Sequence, residues 1–322
     1  MKILITGGLG YIGSHISHIL KDKAIIIDNQ CNSNLDYKKY LPNAIVYIKD
    51  LNLKSLRMIF SKHDIKSVIH LASLKAVNES VKNPLDYYEN NIISSMDLLK
   101  AMGEFDINNL IFSSSATVYG NNYQSPLSED LQLISNNPYG STKIIIEQLI
   151  SDYVKSKKKF KAISLRYFNP IGANVEANLF DKPLGKPQNL IPVITKSILQ
   201  KKTLNIFGND YKTKDGTCVR DFIHILDLAS AHLLALKKVR SIKGHVSINL
   251  GLGKGISVLG IIKKFEEVNN VKIKYKFTKR RAGDVPMSYA KNKKAINVLG
   301  WKPKYDYKDM VKNAWIAANI NN

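Results

Sequence analysis

Cysteine is scarce in this chain of 322 residues. Cys31 and Cys218 are its two cysteines, and neither belongs to a Cys-x-x-Cys pair or to a cluster of cysteine and histidine. A disulfide framework or a zinc site needs more such residues at closer spacing. The composition therefore argues against both, and we expect reduced thiols without a functional role and no bound metal.

Long hydrophobic runs are also missing. The apolar stretches are short, such as residues 24–27 and 68–71, whereas a membrane-spanning helix needs about 18 or more apolar residues. Integral membrane proteins are therefore excluded. The first residues, M-K-I-L-I, form a strand-like run with no apolar leader and no small-residue cleavage site. We accordingly expect a cytoplasmic protein.

Acidic residues are few, with 26 Asp and Glu against 48 Lys and Arg, which gives a formal net charge of +22. Such a balance invites a nucleic-acid or membrane-surface interpretation. The lysines, however, are spread along the whole chain, and the densest runs, residues 155–161 and 272–281, are typical of solvated faces. We predict no nucleic-acid and no membrane partner, while a basic cleft for a small anionic substrate fits this charge.

The residues that are abundant indicate an α/β fold. Hydrophobic residues make up 44% of the chain, which is enough for one large core or two modest ones. Short runs rich in Ile, Val and Leu alternate with helix-length segments at residues 2–6, 24–27, 45–48, 68–71, 110–114 and 162–166. This alternation predicts a doubly wound, Rossmann-type parallel sheet covered by helices on both faces.

The rhythm of strands and helices changes after Asn169-Pro170. A stretch rich in Gly, Pro and Asn follows, and then shorter elements with many polar turns. We therefore expect a nucleotide-binding domain over residues 1–169 and a smaller α/β substrate-binding domain over 170–220 and 252–322. A helix at 226–238 and a strand at 246–251 should return to the first sheet, which assigns residues 221–251 to the first domain.

A glycine-rich loop follows the first predicted strand. Residues 6–13 read T-G-G-L-G-Y-I-G, with Gly7, Gly10 and Gly13 at the spacing that lets a backbone approach a pyrophosphate at a helix N-terminus. Asp28 ends the second strand, where its carboxylate can accept hydrogen bonds from an adenosine ribose. Asn29 and Gln30 offer no guanidinium for a 2′-phosphate, so the sequence favours NAD over NADP. Asp50 follows the third strand and could hold the adenine amino group or cap the next helix.

Tyr139 and Lys143 lie four residues apart at the start of an apolar helix, so both project from one helix face. A lysine ammonium and a positively charged nicotinamide would stabilise a tyrosine phenolate, and a pKa lowered by ~3 units corresponds to ~4 kcal/mol. Ser115 ends the fifth predicted strand, at the edge where open α/β sheets present their ligands. We expect Ser115 to bridge a substrate hydroxyl and Tyr139.

These segments resemble the extended short-chain dehydrogenase/reductase superfamily and, within it, the UDP-galactose (UDP-glucose) 4-epimerase family. The resemblance covers residues 2–315. The matching strings are T-G-G-L-G-Y-I-G-S-H, L-K-A-V-N-E-S, N-P-L-D-Y-Y-E-N-N, F-S-S-S-A-T-V-Y-G, N-P-Y-G-S-T-K, L-R-Y-F-N-P-I-G-A, I-F-G-N-D-Y, D-G-T-C-V-R-D-F-I-H and K-R-R-A-G-D. Leu9 and Ser73 replace smaller residues, Leu71 replaces an aromatic residue, and the turn before the second strand is short.

The resemblance implies two sets of binding residues. The NAD set is Gly7, Gly10, Tyr11, Ile12, Gly13, Asp28, Asn29, Asp50, Leu51, Lys75, Asn90, Ser115, Tyr139, Lys143 and Phe168. The UDP-sugar set is Asn169, Asn189, Leu190, Phe207, Arg220, Arg281, Asp284 and Ser288. Two guanidiniums from separate segments can clamp a diphosphate, and a carboxylate at position 284 can accept the uridine ribose hydroxyls.

The implied activity is an isomerase reaction, the inversion of C4 in UDP-hexoses through a transient 4-keto sugar. Tyr139 is the expected base, and NAD takes and returns the hydride. Ser288 stands where family members restricted to UDP-glucose and UDP-galactose carry a tyrosine, so the resemblance also predicts turnover of UDP-N-acetylglucosamine and UDP-N-acetylgalactosamine.

Three alternatives compete with this prediction. Nucleotide-sugar 4,6-dehydratases share the glycine loop and the Tyr/Lys pair, but they carry an Asp-Glu pair where this sequence has Ala116-Thr117. A UDP-uronate 4-epimerase needs partners for a sugar carboxylate, and the sequence identifies none. A non-catalytic NAD-sensing regulator would have no use for the Ser115, Tyr139 and Lys143 set.

A homodimer is the expected assembly. One apolar stripe runs at helical spacing along one segment, and the Tyr139 helix carries a second. The stripes consist of Leu85, Tyr88, Ile92, Met96 and Leu99, and of Ile146, Ile150 and Tyr153. The alternative is that both stripes belong to the core of one chain.

Overall fold

A seven-stranded parallel sheet dominates the computed structural model, which describes residues 2–185, 187, 189–281 and 284–320. The strands of the described residues, in this sheet and in the smaller ones, are β1 (Lys2–Thr6), β2 (Ala24–Asp28), β3 (Ile45–Ile48), β4 (Ile65–His70), β5 (Asn109–Ser115), β6 (Lys161–Tyr167), β7 (Asn169–Ile171), β8 (Ala173–Asn174), β9 (Leu179–Phe180), β10 (Leu204–Phe207), β11 (Val219–Arg220), β12 (Phe222–His224), β13 (His245–Leu250), β14 (Ile256–Ser257), β15 (Tyr275–Thr278) and β16 (Met287–Ser288).

The α-helices cover both faces of this sheet and build most of the smaller part of the chain. They are α1 (Tyr11–Leu20), α2 (Tyr37–Tyr40), α3 (Leu53–Lys62), α4 (Val77–Lys82), α5 (Pro84–Tyr88), α6 (Ser94–Glu104), α7 (Pro138–Ser156), α8 (Leu190–Leu199), α9 (Ile225–Lys238), α10 (Val258–Asn269), α11 (Lys293–Leu299) and α12 (Tyr307–Ile320).

The strand order of the large sheet is β13-β6-β5-β4-β1-β2-β3. All six strand pairings are parallel. The order reverses between β1 and β4, which is the place where open α/β sheets bind their ligands. The predicted doubly wound fold is therefore confirmed, and β13 pairs with β6 as the last strand at one edge.

Alternating residues of the strands supply two cores, one on each face of the sheet. Ile3 and Ile5 of β1 pack toward α1 and α9, whereas Leu4 packs toward α3, α6 and α7. Strands buried on both faces read as continuous apolar runs because both sets of side chains must leave water. This explains why β1 and β2 were evident in the sequence.

The smaller part of the chain has its own core and sheets. β10 pairs with β15, and β11 lies between β14 and β16. Helices α8, α10 and α12 pack together around buried Ile194, Phe265 and Met310. β7 and β12 pair in parallel and bring Asn169 beside Phe222 directly after β6.

The helical stripes predicted for a dimer divide between core and surface. Ile146, Ile150 and Leu99 are buried in the core beneath the sheet, so the core interpretation is correct for these three residues. A π-helical turn over residues 89–93 lies between α5 and α6. Leu85 and Met96 of the predicted stripe are exposed, as a surface stripe requires. A π-helical turn adds a residue to the helical repeat and rotates the following face. Ile93 within the turn is exposed as well, and so are Val81 and Ile145, which the predicted stripe did not include.

None of the described helices is long and apolar enough to cross a membrane. The described residues also contain no group of three or more His, Cys, Asp or Glu side chains placed to hold a metal ion.

Candidate active site

The glycine-rich loop closes tightly between β1 and α1. Gly7 has a φ of +68°, and a Cβ atom there would lie 2.8 Å from the backbone nitrogen of Ala72. A Cβ on Gly13 would overlap the carbonyl oxygen of Gly7. Larger residues would therefore force the loop open. The closed loop places the N-terminus of α1, with its free N–H groups, at the carboxyl edge of the sheet.

Asp28 anchors this loop to the second strand. Its carboxylate accepts a hydrogen bond from the backbone N–H of Leu9 at 3.0 Å and another from Gln30 at 2.7 Å. Burial raises the pKa of Asp28, and these two hydrogen bonds oppose that rise. Each carboxylate oxygen keeps a further lone pair that can accept a ligand hydroxyl.

Asp50 lies beside Asn29 and does not cap a helix. The Asn29 amide donates to the Asp50 carboxylate at 2.9 Å. The cap of α3 is Asn52, whose side chain accepts from the N–H of Ser55 at 2.9 Å. The capping alternative for Asp50 is therefore wrong, and its carboxylate faces the same cavity as Asp28.

One cavity of about 740 Å³ opens at the carboxyl edge of the sheet and gathers the entire predicted NAD set. The predicted residues that line it are Gly7, Gly10, Tyr11, Ile12, Gly13, Asp28, Asn29, Asp50, Leu51, Lys75, Asn90, Ser115, Tyr139, Lys143, Phe168, Asn169 and Asn189. A groove of about 910 Å³ at the opposite edge, around Lys62, His63 and Arg240, contains none of the predicted residues.

Strand β5 and helix α7 bring the three predicted catalytic residues into this cavity. Asn137 caps α7 by accepting the N–H of Gly140 at 2.9 Å, which starts the helix just before Tyr139. The Lys143 Nζ atom lies 5.7 Å from the centre of the Tyr139 ring. The Ser115 hydroxyl oxygen accepts hydrogen bonds from the backbone N–H and hydroxyl of Thr117 at 3.2 and 3.0 Å.

The pKa of Tyr139 differs from the expectation of a lowered value. Burial raises it to about 12, and the nearby Ser115 hydroxyl opposes this rise. Burial also lowers the pKa of Lys143 to about 7, with Glu147 acting in the opposite direction. The protein's own groups therefore do not depress the phenol pKa, because desolvation of the phenolate outweighs them. A cation bound against the phenol would have to supply the remaining stabilisation.

Most of the predicted UDP-sugar residues form a separate cluster on the smaller part of the chain. The Arg220 guanidinium pairs with Asp284 at 3.3 Å and donates to the carbonyl oxygen of Val285 at 2.7 Å. The Arg281 guanidinium carbon lies 4.5 Å from the centre of the Phe207 ring. Ala282 and Gly283, within the K-R-R-A-G-D string, lie outside the described residues.

This cluster adjoins the large cavity without lining it. The residues that do not line the cavity are Leu190, Phe207, Arg220, Arg281, Asp284 and Ser288. Ser288 is partly buried in β16, where its backbone pairs in register with Arg220. The N–H of Asn169 donates to the carbonyl oxygen of Asp221 at 3.1 Å, so the residue that follows Arg220 in the chain lies directly beside a residue of the cavity wall.

Sequence reasoning missed several residues around the catalytic group. Thr117 lines the cavity and donates to Ser115. Asn91 is buried, and its amide joins the carbonyl of Leu74 to the hydroxyl of Thr142 on α7 at 3.1 Å each. The spacing of Asn91 gave no signal, because a π-helical turn places it. Glu147 could have been found from the sequence, because its spacing of four residues from Lys143 places the two side chains on the same helix face.

The residues of this cavity suit a dinucleotide. The closed glycine loop presents N–H groups to a pyrophosphate, Asp28 offers lone pairs to ribose hydroxyls, and the described cavity wall near Asp28 brings no arginine that would favour a 2′-phosphate.

Comparisons with known proteins agree with this arrangement. The model of the NAD dependent epimerase/dehydratase family matches residues 3–251. The UDP-glucose 4-epimerase of Dictyostelium discoideum is 42% identical over 331 residues, covering 99% of this chain and 96% of that protein.

Two solved structures have closely similar folds. The UDP-glucose-4-epimerase of Stenotrophomonas maltophila with bound NAD and formylated UDP-arabinopyranose has a TM-score of 0.96 and 38% identity, covering 100% of this chain and 98% of that one. The enzyme of Bifidobacterium longum in complex with NAD+ and UDP has a TM-score of 0.95 and 36% identity, covering 100% and 99%. This chain therefore belongs to the NAD-dependent epimerase/dehydratase family.

Proposed function

We propose that this protein is a NAD-dependent UDP-glucose 4-epimerase, an isomerase that interconverts UDP-glucose and UDP-galactose. The observation that carries the proposal is one cavity in which the glycine loop and Asp28 lie beside Ser115, Tyr139 and Lys143. A dinucleotide site and an acid–base group thus share one space. Bound NAD would supply the hydride acceptor and donor at C4 of the sugar.

Tyr139 is the group that moves the proton in this proposal. As the phenolate, its oxygen would take the proton of the sugar 4-hydroxyl while the C4 hydride leaves to the cofactor, and the resulting phenol would return the proton to the same oxygen when the hydride comes back. Ser115 holds the sugar hydroxyl in line with the phenol, since its own hydroxyl is oriented by Thr117. Lys143 places a positive charge beside the phenol ring when it is protonated.

The cluster around Arg220 supports a site for the UDP moiety. Arg220 and Arg281 offer guanidiniums from separate segments, which suits a bidentate grip on a diphosphate. Asp284 can exchange its Arg220 partner for ribose hydroxyls, and Phe207 packs with Arg281. We assign Asn169 and Asn189, which line the cavity, and Leu190 to the same UDP-sugar site. Apart from Asn169, residues 1–169 then hold the cofactor, and residues 170–220 and 252–322 hold UDP.

Epimerisation requires the hexose to turn while UDP stays in place. The contacts proposed above all hold the nucleotide, and few remain for the sugar ring. We propose that Ser288, with a small side chain beside Arg220, leaves room for an N-acetyl group at C2 during this rotation. The enzyme would then also interconvert UDP-N-acetylglucosamine and UDP-N-acetylgalactosamine.

The residue after Ser115 distinguishes epimerisation from dehydration. A 4,6-dehydratase needs an acid to expel water from the sugar, and here Ala116 and Thr117 occupy that position in a short 3₁₀ turn after β5. A UDP-uronate epimerase remains the alternative on the substrate side. Incubation with UDP-glucose, UDP-N-acetylglucosamine and UDP-glucuronate, followed by separation of the products, distinguishes the 4-epimerase from the dehydratase and from the uronate epimerase. Conversion of UDP-glucuronate alone would overturn the proposal.

We further propose a cytoplasmic homodimer. Leu85 is 77% exposed, and Val81, Ile93, Met96 and Ile145 extend its apolar surface over α4 to α7. Contiguous apolar surface of this kind on a water-exposed helix face is typical of a self-complementary interface. Both cysteines are free, one exposed and one buried, which suits a reducing compartment.

A further inference from the structure

A buried ion pair lies one helical turn beyond Lys143. Glu147 follows Lys143 by four residues on α7 and pairs with Arg166 of β6, and both side chains are only 5% exposed. The Arg166 Nη2 and Nε atoms donate to the two carboxylate oxygens at 2.6 and 2.9 Å. This fork geometry fixes both groups relative to the sheet.

Further hydrogen bonds hold this pair in place. The hydroxyls of Ser114 and Ser247 donate to the Glu147 carboxylate at 2.5 and 3.0 Å. Arg166 also donates to the Tyr119 hydroxyl at 3.1 Å and to the carbonyl oxygen of Glu129 at 3.3 Å. Glu147 therefore joins α7 to β5, β6 and β13.

The last three residues of β5 match three residues of α7 spaced by one turn. The carbonyl of Ser113 accepts from Lys143 Nζ at 2.9 Å, Ser114 donates to Glu147, and the Ser115 hydroxyl lies near the phenol of Tyr139. Because the serines are consecutive, a shift of α7 along β5 would disturb all three contacts together. The Glu147 contact is the one that does not involve a proposed catalytic side chain.

The histidines and tyrosines around Lys143 are neutral near pH 7. The titratable and charged groups facing Lys143 and the pair are Tyr139 and Glu147 on α7, His70 on β4, Arg166 and Tyr167 on β6, His245 on β13, and Tyr119 and Glu129 beyond Arg166.

Burial keeps most of these groups uncharged. It lowers the pKa of His70 to about 3 and that of His245 to about 4. It raises the pKa values of the tyrosines at 119, 139 and 167. Glu147, whose pKa the Arg166 bonds hold down against burial, and Arg166 remain charged.

We propose that Glu147 and Arg166 are positioning residues that set the charge of Lys143. The Glu147 carboxylate favours the ammonium form of Lys143, while Arg166 limits that effect by neutralising the carboxylate. The inference rests on the proposed function, since the charge of Lys143 matters there through Tyr139. Burial brings the pKa of Lys143 to about 7, so small changes in this pair alter how much of the lysine is protonated.

The test uses charge-removing variants whose effects should have opposite signs. Glu147→Gln leaves Arg166 as an uncompensated cation, so the alkaline limb of the pH–rate profile should move to lower pH by about one unit. Arg166→Gln leaves an unneutralised carboxylate, so the limb should move to higher pH. The double variant should lie near wild type. Arg57→Gln, which breaks the exposed Arg57–Glu104 pair, is the control and should cause no shift.

A second readout does not depend on activity. Phenolate absorbance of Tyr139 is taken as the difference between each variant and the same variant with Tyr139→Phe. Tyr139 ionises at a pH where Lys143 is already neutral, so the charge left in the pair acts on the phenolate directly. The phenol should titrate at lower pH in Glu147→Gln, which leaves the Arg166 cation, and at higher pH in Arg166→Gln, which leaves the carboxylate. If no epimerase activity is found, the proposed function fails, yet this titration still tests the pair. Shifts of the same sign in both variants, or no shift, would overturn the inference.

Milder variants keep the test decisive if a charge-removing variant does not fold. Ser114→Ala and Ser247→Ala each remove one donor to Glu147 and leave both charges in place. The carboxylate is then less compensated, so each should move the alkaline limb to higher pH by about 0.3 unit, a small fraction of a full charge effect. An unshifted limb in both would overturn the inference.

Discussion

The ammonium nitrogen of Lys143 lies 2.9 Å from the carbonyl oxygen of Ser113. This contact ties the helix that carries Tyr139 to the strand that carries Ser115, two residues further on. Ser115 and Tyr139, which are 24 positions apart in sequence, therefore lie close together at one edge of the sheet. The proposed acid–base chemistry depends on this fixed relation between β5 and α7.

Tyr139→Phe should reduce epimerisation by roughly two to four orders of magnitude, the range typical of a lost general acid–base group. The phenyl ring still packs at this half-buried position, so the fold should persist. The measurement is the initial rate with UDP-galactose, with the melting temperature as the control for folding. Retention of more than a few per cent of the activity by a folded variant would contradict the assignment of the base.

Ser288→Tyr should suppress turnover of the N-acetylated substrates selectively. An aromatic ring beside Arg220 would occupy the space needed by the N-acetyl group, whereas the plain hexoses need less room. The measurement is kcat/KM for UDP-N-acetylglucosamine and for UDP-galactose in both proteins. Ser288→Ala is the matched control and should retain both activities. Equal loss on both substrates, or an inactive wild type toward UDP-N-acetylglucosamine, would refute the assignment.

Light scattering should show a dimer at micromolar concentration, and Leu85→Lys should convert it to a monomer. Leu85 is 77% exposed in one chain, so the substitution does not disturb the core and acts on association alone. Lys54→Glu, a change of charge at an exposed position of α3, is the control. A wild-type monomer would reject the dimer, and a Leu85→Lys dimer would place the interface elsewhere.

The melting temperature should fall as the pH is lowered from 7 to 5. Burial lowers the pKa of His70 and His224 to about 3 and that of His15, His232 and His245 to about 4. The unfolded chain, with histidine pKa values near ~6.5, binds more protons in this window. The contribution of these neutral histidines to the free energy of unfolding is therefore fully present above about pH 6.5 and is lost as the pH falls toward their folded-state pKa values.

A single histidine tests this explanation. The His232 ring donates its Nδ1–H to the carbonyl oxygen of Leu228 at 2.9 Å, whereas its Nε2 atom has no partner among the described residues. His232→Asn keeps a polar group near the Nδ1 position and removes the titration. Its melting temperature should depend less steeply on pH than that of wild type. An unchanged slope would contradict the role of this histidine.

Local patterns predicted much of the fold and of the cofactor site. Continuous apolar runs revealed the strands, and the glycine loop followed by Asp28 revealed the nucleotide end of the sheet. The start of β4 was missed because Lys66 interrupts its apolar run, so the strand begins at Ile65 and not at residue 68. These features were predictable because they are set by residues that are close together in the chain.

Features that depend on distant neighbours were not predictable. The pairing of Arg220 with Asp284 requires β11 and β16 to be adjacent, and the Glu147–Arg166 pair requires α7 to cross β6. The raised pKa of Tyr139 follows from burial by several segments, and spacing from Lys143 could not reveal it. The π-helical turn likewise exposes Ile93, which the predicted stripe of Leu85, Tyr88, Ile92, Met96 and Leu99 did not contain.

Product analysis with UDP-galactose tests the central claim most directly. Purified protein should convert it to UDP-glucose, and the same mixture of the two should be reached from UDP-glucose, with no net accumulation of reduced NAD. Failure to convert either sugar, formation of a product that has lost water, or accumulation of an oxidised sugar with reduced cofactor would contradict the account.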